Sequence, residues 1–141
     1  PTIDLLPVWK RPPSIYASLK SSPRDVVLLE YPLHPNPDWF AENMPYMYFS
    51  MWHWYRMVNG YSGSIPQSYW KIVESTAGFP GGNTVDYAQR LGVTHLTVNC
   101  KLWDALACRI FTDRLERTGR FTLVRSVPWE GAQTLLYELR P

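Results

Sequence analysis

Three histidines, His34, His53 and His95, are the side chains of this chain whose ordinary pKa suits proton transfer near neutrality. Only His53 stands among groups that would use one. Trp52 and Trp54 flank it, and the turn Asn59-Gly60-Tyr61-Ser62-Gly63 follows with a hydroxyl that an imidazole could activate. A Ser–His hydrolase also needs an acid to orient the ring and a tight elbow to present the serine. Gly60-Tyr61-Ser62-Gly63 has one residue too few between its glycines for G-x-S-x-G. A small hydrolase using His53 and Ser62 is therefore the minor reading, and no catalytic residue is assigned. His95 alternates with Val93, Leu96 and Val98 and reads as a structural imidazole in a strand. His34, beside Glu30 and Asp38 in a Pro-rich stretch, is a possible cation ligand, with a solvated loop as the favoured alternative.

Binding chemistry is better represented. Between Tyr46 and Gly63 the chain concentrates rings next to hydroxyls and an amide, a mixture that stacks on the apolar faces of sugars and bonds their hydroxyls. The candidate binding residues are Tyr48, Trp52, His53, Trp54, Asn59, Tyr61 and Ser62. The competing account, in which the rings simply pack between a sheet and its helices, has equal weight. Asn59-Gly60 and Gly63 suggest a turn with positive φ. Such a turn before a helix start at Pro66 can offer amides to an anion, although a tight connection is the simpler role. Gly81-Gly82 lacks the Lys-Ser/Thr pair of a phosphate loop.

Composition narrows the classes further. With 141 residues, 45% of them apolar and 18% charged, the chain is one globular unit rather than a disordered one. A net charge of +2 is too small to argue for nucleic acid, although five of the arginines fall between Arg109 and Arg125. Cys100 and Cys108 are too few for a tetrahedral zinc site, and no cofactor is implied. A disulfide between them needs a bend, because eight residues of continuous helix would separate the Cα atoms by about 12 Å. Two buried free thiols are the favoured expectation. No apolar run approaches the roughly 18 to 20 residues of a membrane helix.

The elements that must position these residues follow from pattern. Residues 1–13 hold four prolines and read as an extended arm or linker, the opening of a piece cut from something longer or of a processed product; residues 14–141 are expected to form a single α/β domain. A short helix spans Pro13 to Ser21, and the apolar run Asp25 to Tyr31 is a strand covered on both faces. Leu33 to Asp38 is a loop. A helix begins at Asn43, and Trp54 to Val58 is a strand. Helices follow over Pro66 to Ala77, with Ser64 as a cap, and over Thr84 to Leu91, capped by Asn83 and stopped by Gly92. Val93 to Val98 is a buried strand. Leu102 to Thr118 is the longest helix, with a stripe of Trp103, Leu106, Ala107, Ile110, Phe111 and Leu115. Phe121 to Val127 and Thr134 to Leu139 make a hairpin. The expected fold is a three-layer α/β domain with a mixed, mainly parallel sheet and a C-terminal β-hairpin.

The order of these pieces resembles a known family. Val26-Val27-Leu28-Leu29-Glu30-Tyr31-Pro32, Tyr46-Met47-Tyr48-Phe49-Ser50 with His53-Trp54, Val58-Asn59-Gly60-Tyr61-Ser62-Gly63 with Pro66, Gly78-Phe79-Pro80 and Leu91-Gly92-Val93 carry the resemblance. It is to the C-terminal extracytoplasmic domain of bacterial multi-pass membrane proteins of the glycosyltransferase-like GT-C type, and it covers roughly residues 14 to 139. It implies a parent that transfers a sugar from a polyprenyl-phosphate donor, with acidic catalytic residues on a membrane portion outside this chain. No catalytic residue carries over. The expectation is a non-catalytic accessory domain on the periplasmic face of a bacterial membrane. Its partners would be the membrane portion of a parent protein or neighbouring complex subunits, and its ligand a glycan, a lipid headgroup or a lipid-linked sugar. A structural subunit of a membrane complex is the alternative.

Overall fold

The computed structural model describes residues 11–33, 44–60 and 66–141. A 3-10 helix, Ser14–Ser21, leads into β1 (Val27–Tyr31), α1 (Met44–His53), β2 (Arg56–Met57), α2 (Gln67–Ser75), α3 (Thr84–Arg90) and β3 (His95–Asn99). A further 3-10 turn, Cys100–Leu102, precedes α4 (Ala105–Arg117), and the hairpin β4 (Phe121–Trp129) and β5 (Ala132–Leu139) ends the chain. The sheet order is β2-β1-β3-β5-β4. β2, β1 and β3 pair in parallel, whereas β5 runs antiparallel to both β3 and β4, so β5 alone opposes the common direction. The domain is thus a mixed α/β sheet with the expected hairpin.

Both sheet faces are covered, which is why β1 and β3 are buried at every position. On one face Leu29, Tyr31, Leu96, Val98, Tyr137 and Leu139 pack against Phe79, Val85 and Ala88 and against Cys108, Phe111 and Leu115 of α4. On the other, Leu28, Val127, Trp129 and Leu136 meet Ile15, Tyr16 and Leu19 of the 3-10 helix and Tyr46 and Phe49 of α1. The end of the N-terminal arm is tied down there, since the Trp129 indole N–H donates to the Arg11 carbonyl at 3.0 Å. The proposed Ser64 cap lies outside the described residues, and Pro66 occupies the cap position of α2.

Two expectations are corrected. The helix expected from Leu102 is broken at Trp103, which is extended (φ −141°, ψ 156°), and α4 restarts with Asp104 accepting the Leu106 and Ala107 N–H groups at 3.0 Å. The later start turns Cys108 inward alongside Phe111 and Leu115 and leaves Leu106 and Ile110 exposed. The same break brings the Cys100 and Cys108 Cα atoms to 5.5 Å, and the two thiols are joined as a disulfide rather than free. Trp103 packs over this corner, 4.9 Å from the Phe111 ring.

Closing a loop of sequence separation 8 removes denatured-state freedom worth about 2.5 kcal/mol. Denatured but unreduced protein should therefore show no thiol that reacts with iodoacetamide. Reduction, or Cys108→Ser, should lower the urea-derived stability by about 2 kcal/mol. Two alkylated cysteines in unreduced protein would refute the bridge.

Candidate functional site

Glu30 sits in the middle of β1 with its side chain 0% exposed. It points to the face covered by the 3-10 helix and α1, opposite Thr97 of β3 in the sheet register. Three elements converge on it. The Tyr16 hydroxyl donates to both carboxyl oxygens at 3.2 Å. The last residue of α1, His53, brings Nε2 to 3.8 Å from Oε1, with its ring stacked on Tyr16 at 4.5 Å and on Tyr55 at 5.4 Å. Asn59 grips the Glu30 backbone, its Oδ1 accepting the Glu30 N–H at 3.1 Å and its amide donating to the Glu30 carbonyl at 2.8 Å. The Asn59 side chain thereby extends the β2 ladder beyond the two residues that form it.

Burial sets the charges. Removed from water, the Glu30 carboxyl is pushed up to about 8, against the opposing pull of the Tyr16 hydrogen bond. Burial pushes His53 the other way, to about 4. Tyr16 and Tyr46 are both raised well above the ordinary phenol value, by burial first and by Glu30 second. Near pH 6 the 3.8 Å contact therefore joins two neutral groups and is no ion pair. His53 Nδ1 accepts the Tyr55 N–H at 3.0 Å, so the neutral ring carries its proton on Nε2. That N–H is buried without a hydrogen-bond partner, as are Thr97 Oγ1, Asn99 Nδ2 and Thr134 Oγ1 on the same sheet face.

The end of α1 turns the neighbouring rings outward. Trp54 continues the helical bonding, its N–H donating to the Ser50 carbonyl at 2.9 Å, but it does so at φ 59°. This is the left-handed cap position that glycine usually fills, and an L side chain there costs about 1 kcal/mol. Trp54 is nonetheless 84% exposed, Trp52 56% and Met51 60%. Beside Trp52 lies a depression of about 460 Å³ walled by Tyr16, His53, Tyr55, Arg11 and Lys20. It continues past Lys20 and Tyr55 to Trp54, Arg24 and Arg56.

The sequence-derived binding residues thus separate. Trp52 and Trp54 form an exposed shelf, Tyr48 packs at the edge of the α1 core, and His53 and Asn59 face inward onto Glu30. Tyr61, Ser62 and Gly63, and likewise His34 and Asp38, lie outside the described residues. Neither Asn59 nor Gly60 adopts the positive φ expected of that turn; Trp54 does. Among the described residues no group of three His, Cys, Asp or Glu is placed to hold a metal. Glu30 and Tyr16 were missed as members of the cluster. The available signal was a lone carboxylate inside an apolar run assigned to a strand covered on both faces.

A second depression, about 610 Å³, lies on the opposite face by the end of β1, among Tyr31, Leu33, Phe79, Trp103, Phe111 and Arg114. Two of its polar groups are committed, the Arg114 guanidinium to the Gly78 carbonyl at 3.0 Å and the Thr76 hydroxyl to the Ile72 carbonyl at 2.7 Å.

The cluster predicts a particular stability profile. Glu30 holds a proton that the unfolded chain releases above 4.5, so between 4.5 and about 8 its contribution falls as pH rises, by about 1.4 kcal/mol per pH unit. His53 refuses a proton that the unfolded chain binds below 6.5, so between 6.5 and about 4 its contribution falls as pH drops. The slopes cancel between 4.5 and 6.5, and above 6.5 the Glu30 slope stands alone. Urea midpoints should show a decline from pH 6.5 to 8 that Glu30→Gln abolishes. Parallel profiles for the two proteins would rule out a buried protonated carboxyl.

No family model, curated protein or solved structure matches this chain, so what it does is to be read from the buried cluster and the exposed shelf.

Proposed function

We propose that the chain is a non-catalytic interaction domain, whose Trp52–Trp54 shelf binds a neighbour at the extracytoplasmic face of a bacterial membrane. The parent would be a glycosyltransferase-like membrane protein, as the sequence resemblance implies. The observation that carries the reading is Trp54. Its backbone is held in a conformation unfavourable to a large side chain, and its indole is left in water. The chain reversal serves the fold, but glycine would serve it at lower cost, so a large indole kept at this position and left in water points to a use for the side chain. The Cys100–Cys108 bridge supports an oxidising compartment. No helix among the described residues is long and apolar enough to cross a membrane, so attachment would come from other polypeptide or from the surface itself.

The hydrolase reading is weaker because of where His53 points. One ring nitrogen accepts the Tyr55 N–H and the other faces Glu30, with the side chain 2% exposed. A general base must reach a nucleophile with one nitrogen while the other is oriented. A structural subunit of a membrane complex would use the same shelf, covered permanently rather than reversibly.

Binding to native inner-membrane vesicles, which present lipid, glycan and protein together, tests the interaction. Trp54→Gly relieves the left-handed strain, so its thermal transition should equal or exceed that of the unaltered chain while vesicle binding drops by about tenfold. His53→Ala should lower the thermal transition and, by freeing the Tyr55 N–H that sets the reversal at Trp54, weaken binding as well. Turnover of a chromogenic ester that His53→Ala abolishes without changing the thermal transition would instead establish the hydrolase.

A further inference from the structure

The rim of the shelf is cationic. Arg11 and Lys20 border the depression beside Trp52, and Lys20, Arg24 and Arg56 border its extension to Trp54, with Asp25 the one carboxylate lining either part among the described residues. Arg24 is held by Glu138 at 3.4 Å and by the Leu139 carbonyl at 3.0 Å. Arg56 meets Asp25 only at 3.9 Å, with both side chains largely in water, a pair worth little. Among the described residues Arg11 and Lys20 have no carboxylate within ion-pair distance.

From this arrangement we propose that the Trp52–Trp54 shelf docks on an anionic phospholipid surface. The proposal rests on the interaction reading above and names the neighbour. Indole rings carry an apolar body and one N–H, the combination that settles at the level of lipid headgroups. Arg11, Lys20 and Arg56 stand where headgroup phosphates would lie around inserted Trp54 and Met51, and their aliphatic stems can follow the apolar surface while the charges stay wet. A sugar would need amides or carboxylates aimed at its hydroxyls. The Asn59 amide is spent on the Glu30 backbone, and among the described residues lining the shelf a single carboxylate, Asp25, stands against the cations Arg11, Lys20, Arg24 and Arg56. The surface therefore offers rings and positive charge, with little to orient hydroxyls.

The test is co-sedimentation of the 141-residue chain with vesicles of phosphatidylcholine alone, of phosphatidylcholine mixed with phosphatidylglycerol, and of native inner membrane before and after protease treatment. Binding is expected to the anionic vesicles and to both native preparations, and to weaken as salt rises above about 0.1 M. Lys20→Glu should lower affinity for anionic vesicles by about tenfold and Lys20→Ala by about fivefold, with circular dichroism unchanged. Trp54→Gly should bind more weakly than the unaltered chain at every lipid composition. Equal binding to neutral and anionic vesicles, or an unchanged affinity for Lys20→Glu, overturns the proposal. Binding only to native vesicles, lost on protease treatment, transfers the shelf to a protein partner and leaves the interaction reading standing. Absence of binding to every preparation removes both.

Discussion

A carboxyl group is buried at the centre of the sheet, and the layer above it is arranged to tolerate that burial. An ionised Glu30 would face a desolvation penalty that its surroundings do little to offset: two phenols resist ionisation, and the imidazole remains uncharged. Holding the proton avoids most of this cost. The neutral acid still needs polar company, which Tyr16 supplies from the N-terminal 3-10 helix and His53 from the end of α1. One side chain on β1 thus joins two segments whose contact with the sheet is mainly apolar, with the Arg125 guanidinium of β4 donating to the Ser18 hydroxyl of the 3-10 helix at its exposed edge. Hydrophobic packing is non-directional, whereas a buried polar group accepts few geometries, so the cluster fixes how this layer is seated.

Seating His53 inward determines what its neighbours can do. Tyr55 N–H is consumed by His53 Nδ1 directly after the helix, which forces the chain to reverse within one residue. That residue is Trp54, and the reversal is what places it at φ 59°. Trp52 precedes the buried imidazole by one position, about 100° around the helix, and so leaves the core as His53 enters it. The exposed shelf is therefore the geometric consequence of the buried cluster, linked through a single helix terminus. The cations around it belong to other elements, Lys20 to the 3-10 helix and Arg56 to β2, and the same cluster brings those elements together.

Much of this fold is legible in the sequence. The apolar run of β1, the glycine stop at Gly92 before β3 and the C-terminal hairpin each carry a local pattern that tertiary packing had no reason to override. The layer order followed from the alternation of helices and strands. The site was less legible, because its members are far apart in sequence and each is unremarkable alone. Tyr16 reads as one more core aromatic, and Glu30 reads as part of a polar group with the histidine four residues on. His53 was singled out for chemistry, but sequence cannot say to which side of a helix end an imidazole turns. The disulfide was discounted on the distance along a continuous helix. The helix is not continuous, because Asp104, a strong capping residue, starts a new one after a bend that apolar periodicity does not register.

The sheet topology bears on where binding belongs. β2 and β3 lie on opposite sides of β1 and all three run in parallel, so the connections diverge at the carboxyl ends of β1 and β3, the position at which open α/β sheets commonly hold a ligand. Here that crevice is stacked with rings: Tyr31 lies 5.2 Å from Phe79 and 4.7 Å from Phe111. On the opposite face the Tyr46 hydroxyl is tied to the Pro32 carbonyl at 2.8 Å. The Tyr46 hydroxyl and the Arg114 guanidinium are bonded within the domain and Asn99 Nδ2, at the carboxyl end of β3, is sealed from water, whereas among the described residues Arg11 and Lys20 beside the shelf are exposed with no carboxylate within ion-pair distance. Recognition requires polar groups still able to exchange water for a partner, since apolar surface alone gives attraction without orientation. By that criterion the outer surface of the α1 layer, rather than the usual crevice, is the better placed of the two for the proposed interaction.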